Sequence, residues 1–214
     1  MPTPITTFTT ARLLAQAITP ADFADIHRLH SDPLVMRTLS ADGKPLSEEV
    51  TGESIRQTVD HWQQHGFGLW VFRRRSDGTF VGRGGLKTYQ IDGKNIIGLA
   101  YAVMSDYWNQ GFATEMGQAS LDVGFGQLGF TEIASWTLPI NVASQRVMEK
   151  LGFRYERDFE FAGLLHRFYR LVKGEWKGYD GTVTPASEQR GTLHETCNLS
   201  DPDGNSQRRG PGPD

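Results

Sequence analysis

Apolar residues recur along this chain with two different periods, and each change of period marks a new element. Short apolar runs of strand length span Arg12 to Ala17, Phe67 to Arg73, Phe80 to Tyr89 and Ile96 to Met104. Between the first two runs the period is helical. Thr19-Pro20-Ala21-Asp22 supplies a start signal, with a Thr cap, a Pro at the first helical position and an acid in the first turn. Phe23, Ile26, Leu29 and His30 follow at helical spacing, and Asp32-Pro33 restarts the chain toward Val35, Met36 and Leu39. Ser47-Glu48-Glu49-Val50 opens a second helix with Ile55, Val59 and Trp62 as its apolar stripe, and Gly66 ends it.

The turns Asp77-Gly78 and Asp92-Gly93 join three consecutive runs into an antiparallel meander. No crossover helices separate these strands, which excludes a dinucleotide-binding fold. After Gly111 the pattern is helical again, with Phe112, Met116, Ala119 and Val123 buried, as far as Gly129. A strand over Ile133 to Leu138, a helix from Asn141 to Gly152 and two strands, Phe153 to Phe159 and Leu165 to Val172, complete the order. The sum is an α+β domain, a mixed sheet of about seven strands flanked by helices.

Composition narrows the function classes. At 214 residues, 38% hydrophobic and 11% aromatic, the chain can fill one core. The net charge of -3 gives no basic footprint for nucleic acid. Residues 175–214 carry seven acids and four bases, and the remaining chain carries 18 of each, so the body is neutral and the acidity lies at the C-terminus. Arg73-Arg74-Arg75 is the one dense basic run of the body, and it reads as a solvated hairpin end. A single cysteine, Cys197, rules out an intrachain disulfide and fits a reducing, cytoplasmic setting. Neither a membrane-length apolar run nor a secretory leader is evident, so no membrane partner is expected. From residue 180 to 214 aromatics vanish and apolar residues such as Val183, Leu193 and Leu199 thin out, so this tail is expected to be disordered.

Two segments carry candidate chemistry. Tyr107-Trp108-Asn109-Gln110-Gly111-Phe112-Ala113-Thr114 runs from a strand into a helix, where free N–H groups and the helix dipole suit a phosphate. Alone it is also an ordinary structural turn. The second segment follows strand 133–138: Asn141, Ser144 and Met148 are spaced to share one helical face. By residue type Asn141 could cap its helix and Ser144 could bond a carbonyl. The histidines show no metal-ligand spacing, so no metal is expected.

With Thr10-Ala11-Arg12-Leu13 and Phe80-Val81-Gly82-Arg83-Gly84-Gly85-Leu86, these segments resemble the GCN5-related N-acetyltransferase (GNAT) superfamily, particularly its ribosomal-protein acetyltransferase-like branch. The resemblance covers residues 7–174 as one domain. It implies a splayed parallel strand pair holding acetyl-CoA, and direct transfer of acetyl to a primary amine. The acceptor would be a small molecule or a protein N-terminus. The backbone of Asn109, Gln110, Gly111, Phe112, Ala113 and Thr114 would grip the pyrophosphate. Trp108 stands where the superfamily has Gln or Arg, as in the branch. Asn141 would reach the pantetheine arm, a backbone N–H near Val103 would serve the oxyanion, and Ser144 would protonate the thiolate. Met148 stands where many members have Tyr, and Gly98 where many have a Glu base. Glu156, Asp158, Glu160 and His166 remain open as bases. Those two departures leave a non-catalytic acyl-CoA-binding module as the alternative. A homodimer is compatible with the resemblance. Trp62, Phe67, Trp70, Tyr89 and Phe161 are candidates for either an acceptor pocket or the core.

Overall fold

The computed structural model describes residues 4–179 and 183–185. Nine strands form one sheet among these residues: β1 (Thr7–Thr9), β2 (Leu13–Ala17), β3 (Leu69–Arg74), β4 (Phe80–Ile91), β5 (Lys94–Val103), β6 (Glu132–Thr137), β7 (Arg154–Phe161), β8 (Leu164–Val172) and β9 (Thr184–Pro185). Their spatial order is β7-β8-β6-β5-β4-β3-β2-β1-β9. Every pair is antiparallel except β5 with β6.

The helices are α1 (Phe23–Ser31), α2 (Pro33–Leu39), α3 (Glu48–His65), α4 (Phe112–Asp122) and α5 (Val142–Lys150). Local chemistry sets their limits. The Thr19 segment forms a short 3-10 turn with a capping box before α1. The Asp32 carboxylate accepts from the N–H groups of Leu34 and Val35 to start α2, and the Ser47 hydroxyl accepts from Val50 to start α3. Gly66, at φ 73°, ends α3 in the left-handed region that an L side chain rarely adopts.

The sheet carries a helix layer on each face. Met116, Leu121 and Met148 of α4 and α5, with Leu151 just after α5, pack on Val103, Leu99, Leu86 and Ile133. On the opposite face, Ile26, Leu29 and Ile55 of α1 and α3 cover Leu69, Val71 and Ala102. That second face continues past β5 into an aromatic group of Tyr89, Trp136, Phe159, Phe161 and Phe168.

The architecture is the expected α+β one, with two additions and one correction. No local pattern announces β1, which is three residues long, or β9, which is two. Thr184 pairs with Thr9 and Pro185 with Phe8 at the sheet edge, and Val183 packs on the adjoining core. Cys197 and the rest of the expected tail lie outside the described residues. The expected helix over 111–128 is two pieces, α4 and then a π-helical turn over Val123–Gln127. Gly124 belongs to that turn, where an added Cβ would lie within 2.8 Å of Ile133 and Leu86. None of the helices among the described residues is long and apolar enough to cross a membrane.

Candidate active site

The central feature is a gap in the sheet. β5 and β6 pair at one register position only, Gly98 with Ala134, and the strands part beyond it. The Ser135 hydroxyl donates to Leu99 O (3.0 Å) next to that bridge. Backbone groups of β5 alternate in direction. Met104 N–H donates to Val81 O on β4, so the Val103 N–H one residue earlier points the other way, into the gap. The Val103 carbonyl is held by the Trp108 indole N–H at 2.8 Å.

The loop after β5 closes the wide end of the gap. Asn109 (φ 60°) and Gly111 (φ 80°) both adopt the left-handed region, which turns the chain sharply into α4. Gly111 is the N-cap and offers no side-chain cap, so the first-turn N–H groups of α4 are not claimed by one. The Phe112 side chain is buried in the core under the Arg12 guanidinium (4.3 Å), which leaves its backbone to face outward. The turn is pinned from behind by Glu115, only 6% exposed. Its carboxylate accepts from Thr10 Oγ1 (2.6 Å), Arg12 N (2.9 Å) and Arg12 Nε (2.6 Å). Arg12 also donates to Gln110 O at 2.9 Å.

Across the gap lies the start of α5. Asn141 Oδ1 accepts from Ser144 N–H (3.1 Å), which is the N-cap role and leaves the Asn141 amide NH2 as a donor. Ser144 is half-buried and meets Tyr101 of β5: the Tyr101 hydroxyl donates to Ser144 O (3.1 Å) and lies 3.0 Å from Ser144 Oγ. Burial pushes the Tyr101 phenol above its ordinary value, and the bond to Ser144 opposes this, so it stays a neutral donor. Sequence reasoning missed Tyr101, because nothing in the chain shows that residues 43 positions apart meet here. Met148 does not face the gap at all. It is 0% exposed inside the core with Leu151 and Phe153, so the expected shared face of Asn141, Ser144 and Met148 divides into site and core.

Gly98 has a physical reason to lack a side chain. A Cβ there would come within 2.7 Å of Tyr89 and 2.9 Å of Trp136, whose rings meet edge to face at 4.6 Å. The space for a glutamate is occupied by aromatic carbon. The other open acids lie elsewhere: Glu156 is held by Arg170 on the exposed face of the last hairpin, which lowers its pKa, and Asp158 accepts from Tyr155. His166 bonds Leu164 O beside Phe159 and Phe161, and Glu160 is exposed. Of the aromatic candidates, Phe67 and Trp70 are core, Trp62 donates to Leu69 O, and Tyr89 and Phe161 stand with Trp136 beside Gly98. The arginine run is structural: Arg73 pairs with Asp22 and Asp25, Arg74 with Asp77, and Arg75 bonds Thr10 O.

A sheet wedged open beside a helix N-terminus is a shape shared with known proteins, and a family model agrees. The acetyltransferase (GNAT) domain model matches residues 12–154. The chain belongs to the GNAT acetyltransferase family. YkkB of Bacillus subtilis is 30% identical over 129 residues, covering 60% of this chain and 73% of that protein. In fold, a GNAT-family acetyltransferase from Bacillus anthracis is similar at TM-score 0.65 and 23% identity, covering 79% of this chain and 99% of that one. RimJ of Mycobacterium smegmatis, solved with a CoA-disulfide, is similar at TM-score 0.64 and 20% identity, covering 81% and 90%. The GNAT chain described here is accordingly an acyltransferase that uses acetyl-CoA as donor for N-acetylation.

Proposed function

We propose that this GNAT enzyme binds acetyl-CoA in the gap between β5 and β6 and transfers the acetyl group directly to a primary amine arriving from the α1–α3 face. The observation that carries the assignment is the single Gly98–Ala134 bridge, because it leaves the backbone of β5 beyond residue 98 free to pair with pantetheine amides. The backbone N–H groups of Asn109, Gln110, Gly111, Phe112, Ala113 and Thr114 form the pyrophosphate grip at the α4 N-terminus. The spare amide of Asn141 donates to the pantetheine arm.

The chemistry follows from what faces the gap. The amine nitrogen attacks the thioester carbonyl, and the Val103 N–H donates to the oxygen that becomes negative. Collapse of the tetrahedral intermediate breaks the C–S bond, Ser144 donates its proton to the leaving thiolate, and the proton that the attacking nitrogen sheds restores the Ser144 hydroxyl by way of solvent in the gap. Tyr101 holds the Ser144 hydroxyl in position. A purely acyl-CoA-binding module is less favoured, because the Tyr101–Ser144 pair presents a neutral proton donor at the gap.

The test is thiol release from acetyl-CoA with a panel of small amines and peptides. Ser144→Ala is expected to lower kcat by about 100-fold with little change in the KM for acetyl-CoA. Tight coenzyme A binding with no thiol release from any amine would move the protein to the non-catalytic reading.

A further inference from the structure

Two cations on the α1–α3 face have no role in the chemistry above. Arg83 and Lys87 lie four residues apart on β4, with their side chains on one face of the strand, opposite Ala102 and Gly98 of β5. They therefore flank the β5 segment that passes the thioester, on the side away from α4 and α5. Both keep accessible surface, yet Arg83 is enclosed deeply enough that burial lowers its pKa, and Lys87 is lowered by burial and then by Arg83. A group that is surrounded by protein but still reached by solvent sits at the bottom of a pit.

Neither cation has a counter-ion among the described residues. The Tyr89 phenol, which burial keeps neutral, supplies no counter-charge to Arg83, and no acid among the described residues pairs with Lys87. His30, on α1, is disfavoured as a cation first by burial and then by Arg83 and His27. His61, on α3, is held neutral between two backbone groups: its Nδ1 lies 2.9 Å from Phe67 O, and its Nε2 accepts from Thr88 N–H at 3.0 Å. The one carboxylate along the adjoining recess, Asp60, is exposed and makes no ion pair with Lys87. Two enclosed like charges that the protein leaves unneutralised are costly unless an incoming group pairs with them. Elsewhere the protein pairs its enclosed charge carefully, as Glu115 with Arg12 and Arg73 with two aspartates show.

We infer that the acceptor is a small primary amine bearing an anionic group, a carboxylate or a phosphate, which Arg83 and Lys87 bind on the α1–α3 face while the amine reaches the thioester carbonyl held at the Val103 N–H. This rests on the N-acetyltransferase reading of the gap and adds the class of acceptor. Arg83 supplies a planar fork and Lys87 a point charge, a pair suited to either oxyanion. The Tyr89 and Trp136 rings give the carbon skeleton an apolar wall.

Matched amines separate the ideas. β-Alanine and 4-aminobutyrate would be compared with propylamine and butylamine, O-phosphoethanolamine would stand for phosphate, and a neutral peptide with a free N-terminus would stand for a protein acceptor. The expected result is a kcat/KM at least about tenfold higher for an anionic amine than for its neutral match. Lys87→Met and Arg83→Met should each raise the KM of that amine by about tenfold or more, with the KM for acetyl-CoA and the rate with neutral amines unchanged. Equal or better turnover of the neutral amines or of the peptide overturns the anionic acceptor and leaves N-acetylation standing. If no amine turns over, calorimetric titration of the coenzyme A complex decides. Anionic amines that bind wild type and not Lys87→Met sustain the site without the catalysis, and equal binding by neutral and anionic amines overturns it.

Discussion

In the proposed reaction, the Tyr101–Ser144 hydroxyl pair handles the leaving group. Tyr101 can donate only one proton, and its two acceptors are both on Ser144. With the phenol bonded to the Ser144 carbonyl, the Ser144 hydroxyl donates to the phenol oxygen at rest and turns to the thiolate when it forms. Tyr101→Phe is therefore expected to lower kcat by about tenfold while the KM for acetyl-CoA hardly moves. In a Ser144→Ala background the same substitution should cost nothing further, and a double variant that loses the product of both single effects would show that they act separately. The residue types of this site were partly readable in the chain. Asn141, Ser144 and Gly111 stood out by spacing and conformation, and Gly98 stood out as a missing acid. Tyr101, Arg83, Lys87 and Trp136 did not, because their importance comes from which strand faces which and not from local pattern.

At the scale of elements, the α4 N-terminus is only as firm as its attachment to the β1–β2 hairpin. Glu115 provides that attachment through three hydrogen bonds, and its carboxylate is nearly enclosed. Glu115→Gln keeps the shape and removes the charge, and it is expected to destabilise the fold by about 2 kcal/mol. Urea denaturation measures this directly, and a shift smaller than about 0.5 kcal/mol would mean the contact is not structural. Most element boundaries were legible because caps and breakers punctuate this chain: Asp32-Pro33, Ser47 and Gly66 all stop or start helices where their chemistry says. The short strands β1 and β9 were not. In β1 only three residues pair, too few for alternation to show, and the π turn after α4 keeps the apolar spacing of an uninterrupted helix.

For the whole molecule, two enclosed histidines tie stability to pH. His30 and His61 are both lowered to about 4 from 6.5, in each case mainly by burial. The His61 Nε2 accepts from Thr88, so protonation there breaks a bond between α3 and β4. Because the folded values are depressed, the unfolded chain binds more protons between pH 6.5 and pH 4. Their contribution is complete above pH 6.5 and is lost progressively as the pH falls toward 4, by about 1.4 kcal/mol per pH unit for each histidine. Urea titrations at several values across that window should show the slope, and His61→Gln should reduce it by about half. An unchanged slope in that variant would remove His61 from the account.

The gap beyond Gly98 has a consequence for abundance as well as for chemistry. A sheet with unpaired backbone on both sides of an opening is an unfinished sheet, and in the proposed binding mode the pantetheine chain is the piece that finishes it. Donor binding and folding are then linked equilibria. Saturation of the gap at about 100 times the dissociation constant adds about 2.7 kcal/mol to the stability of the folded state. The lifetime of this protein in a cell would rise and fall with the acetyl-CoA pool on which it draws.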